Sequence, residues 1–228
     1  YARSVAASMG VSHNQKIFDI KDAREIVDKV LASLDEPMAD SSILPTYLLA
    51  KFAREKVVVA LGGDGSDELF AGYSTFQALT PAIQYKRWVP RTIQSNILSL
   101  VNKLQAGEGY LSLDFKLKRT LYGIKHKESI WNPTWMAPLK EDEISELLEQ
   151  PCSNEEVYAD AIDAWESSKS RDIIGKSSEF FVSFYLQNDI LTKLDRATMM
   201  VGLEGRSPFL DNEVADFASR LPSKFKMR

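Results

Sequence analysis

Lys56-Val57-Val58-Val59-Ala60-Leu61-Gly62-Gly63-Asp64-Gly65-Ser66-Asp67-Glu68 decides the fold. After Lys56, five apolar residues run unbroken, four of them β-branched or large aliphatic, and end abruptly at a glycine pair. A continuous apolar run of that length reads as a strand buried on both faces, the kind found in parallel sheets. Small residues follow, and then a helix start. In open α/β sheets, ligands bind at the carboxyl ends of the strands. Glycines there let the backbone approach a ligand closely, and a helix start offers unpaired N–H groups.

Outward from this stretch, the chain is helical on both sides. Ala2–Met9 has Val5, Ala6 and Met9 on one face, with Gly10 as a C-cap. His13–Ile20 carries Ile17, Phe18 and Ile20 and reads as a short strand. Ala23–Leu34 has helical spacing and stops before Pro37. Asp40-Ser41-Ser42 forms a turn or cap cluster ahead of a helix carrying Pro45 in its first turn. Beyond residue 74 no second strand of the Val57–Leu61 kind is evident. Helices are expected over 77–105, 110–124, 140–150, 155–167 and 176–201. Loops are expected at Pro90, Gly107-Glu108-Gly109 and Trp131-Asn132-Pro133. A last helix runs from Asp211, a natural N-cap, to Leu221. The fold class is therefore α/β, with the sheet at the front and a largely helical region behind it.

Composition narrows the class. The chain has 228 residues, 44% hydrophobic and 26% charged, with a formal net charge of -4. That balance is ordinary for a globular domain and carries no basic signature of nucleic-acid binding. No apolar run reaches the ~20 residues of a membrane span. One cysteine, Cys152, allows no intrachain disulfide and suits a reducing cytoplasm. His13 and His126 have no metal-ligand spacing.

Three acids, Asp64, Asp67 and Glu68, crowd the glycine loop. Read locally, they leave two alternatives. Acids at a helix start are favourable by themselves, so the loop can be a capped helix after a tight turn. Alternatively, a phosphate ligand faces the loop and the acids hold it through Mg²⁺, which typically joins one or two carboxylates to substrate phosphates. The loop is neither a Walker motif nor a dinucleotide fingerprint. Asp189, Lys193 and Arg196 share one helix face at i, i+4 and i+7, and read either as an ion-pair ladder or as phosphate contacts.

Gly62 through Tyr73 resembles the signature S-G-[DE]-G-[GS]-D-E-x-F-[GA]-G-Y of the glutamine-hydrolysing asparagine synthetase family. Asp189–Met200 and Leu203–Asp211 resemble that family's D-x-L-x-K-x-D-R-x-[ST]-M and L-E-x-R-x-P-F-L-D, and Asp35–Tyr47 is similar to its bacterial type. The resemblance implies that residues 1–228 are part of the C-terminal synthetase domain, an adenine-nucleotide α-hydrolase-like (PP-loop) domain. It implies ATP-dependent adenylation of the aspartate side chain, followed by amination with ammonia from glutamine. ATP and Mg²⁺ are the implied cofactors. The glutaminase domain of the same parent chain is the implied partner, a homodimer is compatible, and the cytoplasm is the implied location.

Residue by residue, the resemblance makes Gly62 and Gly63 backbone neighbours of the nucleotide and Asp67 the Mg²⁺ ligand. Asp64 becomes the catalytic group that helps deprotonate the attacking amine, with Lys193 and Arg196 near the phosphates. The family often has Ser where Gly62 stands, which puts a side-chain bond at that position in doubt. Glu68 is expected to cap or buttress. A paralogous amidotransferase acting on another carboxylate, and a degenerate non-catalytic domain, remain open. The chain starts at Tyr1 in mid-helix, and the family's upstream S-G-G-x-D-S-S loop does not occur in it. An excised piece of a longer protein is expected, inactive by itself.

Overall fold

The computed structural model describes residues 1–103 and 112–227. The loop expected at Gly107-Glu108-Gly109 and the terminal Arg228 lie outside the described residues. The chain divides into two compact units: Tyr1–Gly63 with Asp189–Pro208, and Asp64–Asn188 with Phe209–Arg228.

The first unit holds the sheet. Strand β1, Val59–Leu61, pairs in parallel with strand β2, Glu204–Arg206, in the register Val59 to Glu204, Ala60 to Gly205 and Leu61 to Arg206. Backbone bonds extend the pairing at both ends, from Glu204 N–H to Val58 O and from Gly62 N–H to Arg206 O, each 2.8 Å. Two sequence expectations need correction. The second strand exists, although Glu-Gly-Arg has no β-forming character; pairing, a non-local cause, makes it. The apolar run is also not buried on both faces. Val58 is 59% exposed and Leu61 72% exposed, because among the described residues the sheet has only these two strands.

Helices pack the rest of this unit. Ile26 and Val30 of Ile20–Ala32 meet Ile43, Tyr47 and Leu48 of Ile43–Arg54, and Ala197 of Leu191–Met199 joins them. These i, i+4 positions form the expected apolar stripes. The helix Ala2–Met9 ends as expected at Gly10, which is left-handed at φ 66°. The expected strand at His13–Ile20 does not form. Residues 11–19 have no regular structure, and Asp19 caps the next helix by accepting from Lys21 and Asp22 N–H. The Asp19/Asp22 capping box outweighs the apolar alternation of Ile17, Phe18 and Ile20.

The second unit is helical among its described residues. Its core joins Phe76 and Leu79 of Ser74–Trp88, Trp131 and Trp135 of Trp131–Met136, and Phe180 and Phe181. The chain breaks at Pro90, as expected, between Ser74–Trp88 and Arg91–Asn102. Trp131-Asn132-Pro133 is helix rather than loop, because proline is tolerated in a first helical turn. The long helix expected over 176–201 is present with an unexpected middle: Ile173–Phe180 and Leu191–Met199 flank a π-helical stretch, Phe181–Ile190. Asp211 caps Asn212–Arg220 by accepting from Glu213 N–H at 2.9 Å. Among the described residues no helix is long and apolar enough to cross a membrane.

Candidate functional site

The glycine loop begins where β1 ends. Gly62 continues the sheet through its bond to Arg206, and Gly63 is exposed. A Cβ built on Gly63 would meet nothing within 4 Å, so nothing in the fold itself demands glycine there. Gly65 differs. It is left-handed at φ 88°, and a Cβ on it would lie under 3.0 Å from the Leu210 side chain. Gly65 therefore serves the turn and its packing, while Gly63 has space beside it.

The helix after the loop is short, only Ser66–Phe70. So short a helix has little macrodipole, which weakens the argument that its start alone attracts the acids. The acids instead divide by direction. Glu68 is 1% exposed, and the Tyr73 hydroxyl donates a hydrogen bond to its Oε1. Tyr73 is held by ring contacts with Phe181 at 5.0 Å and Tyr185 at 5.7 Å. Burial, and then the hydrogen bond to Glu68, push the phenol well above its ordinary value, so it stays a donor. Asp67 is exposed and Asp64 half-buried. Glu68 is thus the buttress that the sequence suggests.

The other predicted residues lie in the first unit. Lys193 makes a 2.6 Å ion pair with Asp40, and Arg196 a 2.9 Å pair with Asp35. The shared helix face of 189, 193 and 196 is real, but its cations reach the 35–40 segment rather than forming a ladder along their own helix. Asp40 also accepts from Ser42 N–H at 2.8 Å and Ser42 Oγ at 2.7 Å, which is the predicted turn cluster. Burial raises the Asp40 carboxyl, but hydrogen bonds from Lys193 and Ser42 outweigh it and leave the group below its ordinary value. Asp189 moves the opposite way, raised by burial first and by the Asp40 charge second, against Lys193. Arg206 lies exposed in β2 with its Nε 2.7 Å from Glu204.

Among the described residues no group of three or more His, Cys, Asp or Glu side chains stands together as a metal cage. The donor set is still suitable for Mg²⁺, which takes one or two carboxylates and completes its shell with phosphate oxygens and water. Tyr73 and Asp35 are the partners that sequence reading missed. The Tyr73 signal was present as an aromatic hydroxyl five residues after Glu68.

The family model described as "Asparagine synthase" matches residues 1–228. The chain belongs to the asparagine synthase family. Among similar curated proteins is asparagine synthetase [glutamine-hydrolyzing] 1 of Bacillus subtilis, 30% identical over 229 residues, covering all of this chain and 35% of the relative. A putative asparagine synthetase [glutamine-hydrolyzing] of Mycobacterium tuberculosis (strain ATCC 25618 / H37Rv) is 28% identical over 240 residues, 97% of this chain and 33% of the relative. The Gallus gallus asparagine synthetase [glutamine-hydrolyzing] matches 79 residues at 37% identity, 33% of this chain and 14% of its own. The chain spans about a third of the length of the first two relatives. In this asparagine synthase family chain, the resemblance carried by three separated motifs thus extends over every residue.

Proposed function

We propose that this chain forms part of the synthetase site of an ATP-dependent amidotransferase. That enzyme adenylates the side-chain carboxylate of aspartate and aminates it with glutamine-derived ammonia to give asparagine. The observation that carries the reading is the division of the acids. Glu68 is turned inward onto Tyr73, while Asp67 stays exposed and Asp64 half-buried in the loop after β1. At the start of so short a helix, exposed acids contribute at most about 0.3–1 kcal/mol each to folding.

In this reading Asp67 holds Mg²⁺, which when bound neutralises charge on the pyrophosphate as it leaves. Asp64 takes a proton from the attacking nitrogen, the general-base task of a positioned carboxylate. Gly62 and Gly63 admit the nucleotide by backbone approach. Lys193 and Arg196 reach phosphate oxygens with N–H donors beyond those engaged by Asp40 and Asp35. The exposed apolar β1 supports placing residues 1–228 in a larger parallel sheet of the PP-loop class, since such a strand suits neighbours on both faces. The relatives' printed names, glutamine-hydrolysing, support a glutaminase domain on the same polypeptide.

The test is ATP–pyrophosphate exchange by the full polypeptide carrying this chain. Exchange with aspartate, absent with glutamate or a β-amino acid, is expected. Exchange with another carboxylate and not aspartate would reassign the substrate, and none with any carboxylate would remove the enzymatic reading.

A further inference from the structure

Gly72 is an exposed glycine whose backbone lies outside the left-handed region, so neither close packing nor φ calls for glycine there. Its surroundings do. A Cβ built on Gly72 would lie under 3.0 Å from Asp67 Oδ1 and 3.0 Å from Asp67 Cγ, and the three nearest atoms all belong to Asp67. The Asp67 carboxylate occupies the space a side chain at 72 would need.

The backbone produces this approach at a cost. Ala71 is left-handed at φ 58° and ψ 41°, the one non-glycine residue with positive φ among the described residues. Such a conformation costs roughly 1–2 kcal/mol for an L-residue. It persists because Ala71 is buried in the core and because Ala71 and Gly72 N–H both bond to Asp67 O, the second at 2.9 Å. The chain therefore doubles back over the acid. Both acids are served from five positions on: Glu68 by the Tyr73 hydroxyl, Asp67 by the missing side chain of Gly72.

We propose that Gly72 is a positioning residue for Asp67, its missing Cβ fixing where the carboxylate stands when it meets Mg²⁺. This rests on the reading of Asp67 as the cation ligand. Residues that orient a metal ligand typically change affinity by about 10–100-fold when altered.

The test compares Gly72→Ala, Asp67→Ala and the double variant in the full polypeptide. Two readouts are taken: thermal unfolding without cation, and Mn²⁺ affinity by electron paramagnetic resonance in the presence of pyrophosphate. Gly72→Ala is expected to lower Tm when Asp67 is present and to cost much less beside Asp67→Ala, where only the 3.2 Å approach to the residue-67 Cα remains. It is also expected to weaken Mn²⁺ binding about tenfold, with no further loss in the double variant. An equal Tm loss in both backgrounds would overturn the proposal, because the carboxylate would not be what the glycine accommodates. Unchanged Mn²⁺ affinity in Gly72→Ala, beside a loss in Asp67→Ala, would overturn it too. Should Asp67→Ala itself bind Mn²⁺ normally, the cation reading fails and positioning falls with it, while the Tm cycle separately reports the contact. The double variant removes the clash with the carboxylate, so it keeps the comparison alive if Gly72→Ala does not fold.

Discussion

Lys193 and Asp40 stand 153 positions apart in the chain and meet at 2.6 Å, with both side chains largely withdrawn from water. Removing the cation leaves a partly buried carboxylate held only by Ser42. Lys193→Met should therefore lower unfolding free energy by about 1.5–3 kcal/mol, the range for a hydrogen bond to a charged group. Because the Asp40 pKa is depressed in the fold, the stability it contributes is present above the ordinary value of 3.8 and is lost as pH falls through the folded value. Urea denaturation across that acid range should show wild type losing its advantage over Lys193→Met.

Asp189 should behave in the opposite sense. Its folded pKa is raised, so the fold favours the protonated form. That preference helps below the ordinary value of 3.8 and is lost as pH rises through the folded value. At neutral pH the ionised group is a burden beside Asp40. Asp189→Asn should then equal or exceed wild type in stability at pH 7, and the difference should shrink in acid. A clear loss at pH 7 would show that Asp189 has a cationic partner that outweighs Asp40.

Tyr73→Phe keeps the ring contacts with Phe181 and Tyr185 and deletes the hydroxyl that serves Glu68. A buried acceptor left without its donor costs about 1–3 kcal/mol. Tyr73→Phe should approach that cost, and adding Glu68→Gln should recover much of it. Chemical denaturation of the two singles and the double checks this. If both singles lie within about 0.5 kcal/mol of wild type, the pair is not a buttress.

Gly123→Ala should be among the most damaging changes in the helical unit. A Cβ there would lie under 3.0 Å from Trp135 Nε1 and Cδ1, where the indole donates to Thr120 O at 3.3 Å. Overpacking of this kind costs typically about 1–3 kcal/mol. A lowered midpoint with a red-shifted tryptophan emission is expected, since Trp135 must move to admit the methyl group.

What was legible in the sequence was local or long-patterned. Gly10 and Asp211 announce helix ends by residue type alone, and both cap as expected. The loop and its two distant companion motifs identify the family. The misses have physical causes. Glu204–Arg206 becomes a strand through a partner far away in the chain, which no local propensity reports. His13–Ile20 shows apolar alternation, yet Asp19 within it caps the next helix and decides the outcome. Pro133 looks like a breaker but sits where a helix has no use for its N–H. Of the candidate site, residue types were readable and pairings were not. Lys193 and Arg196 share a visible helix face, but nothing in the sequence says that Asp40 and Asp35 would meet them.

The parallel register of Val59 with Glu204 also sets an order of events. Everything from Gly62 to Leu203 must be made before the two strands can meet, and that interval contains residues 64–188 of the other unit. During synthesis the apolar Val57–Leu61 segment is made well before Glu204–Arg206 and must wait for that partner, while residues 64–188 between them can begin to form their own core. Non-local pairing of this kind is slow and leaves strand edges open to wrong partners meanwhile. The first unit therefore closes only after most of the second has been made, and Val57–Leu61 is the segment exposed to wrong pairing until Glu204–Arg206 arrives.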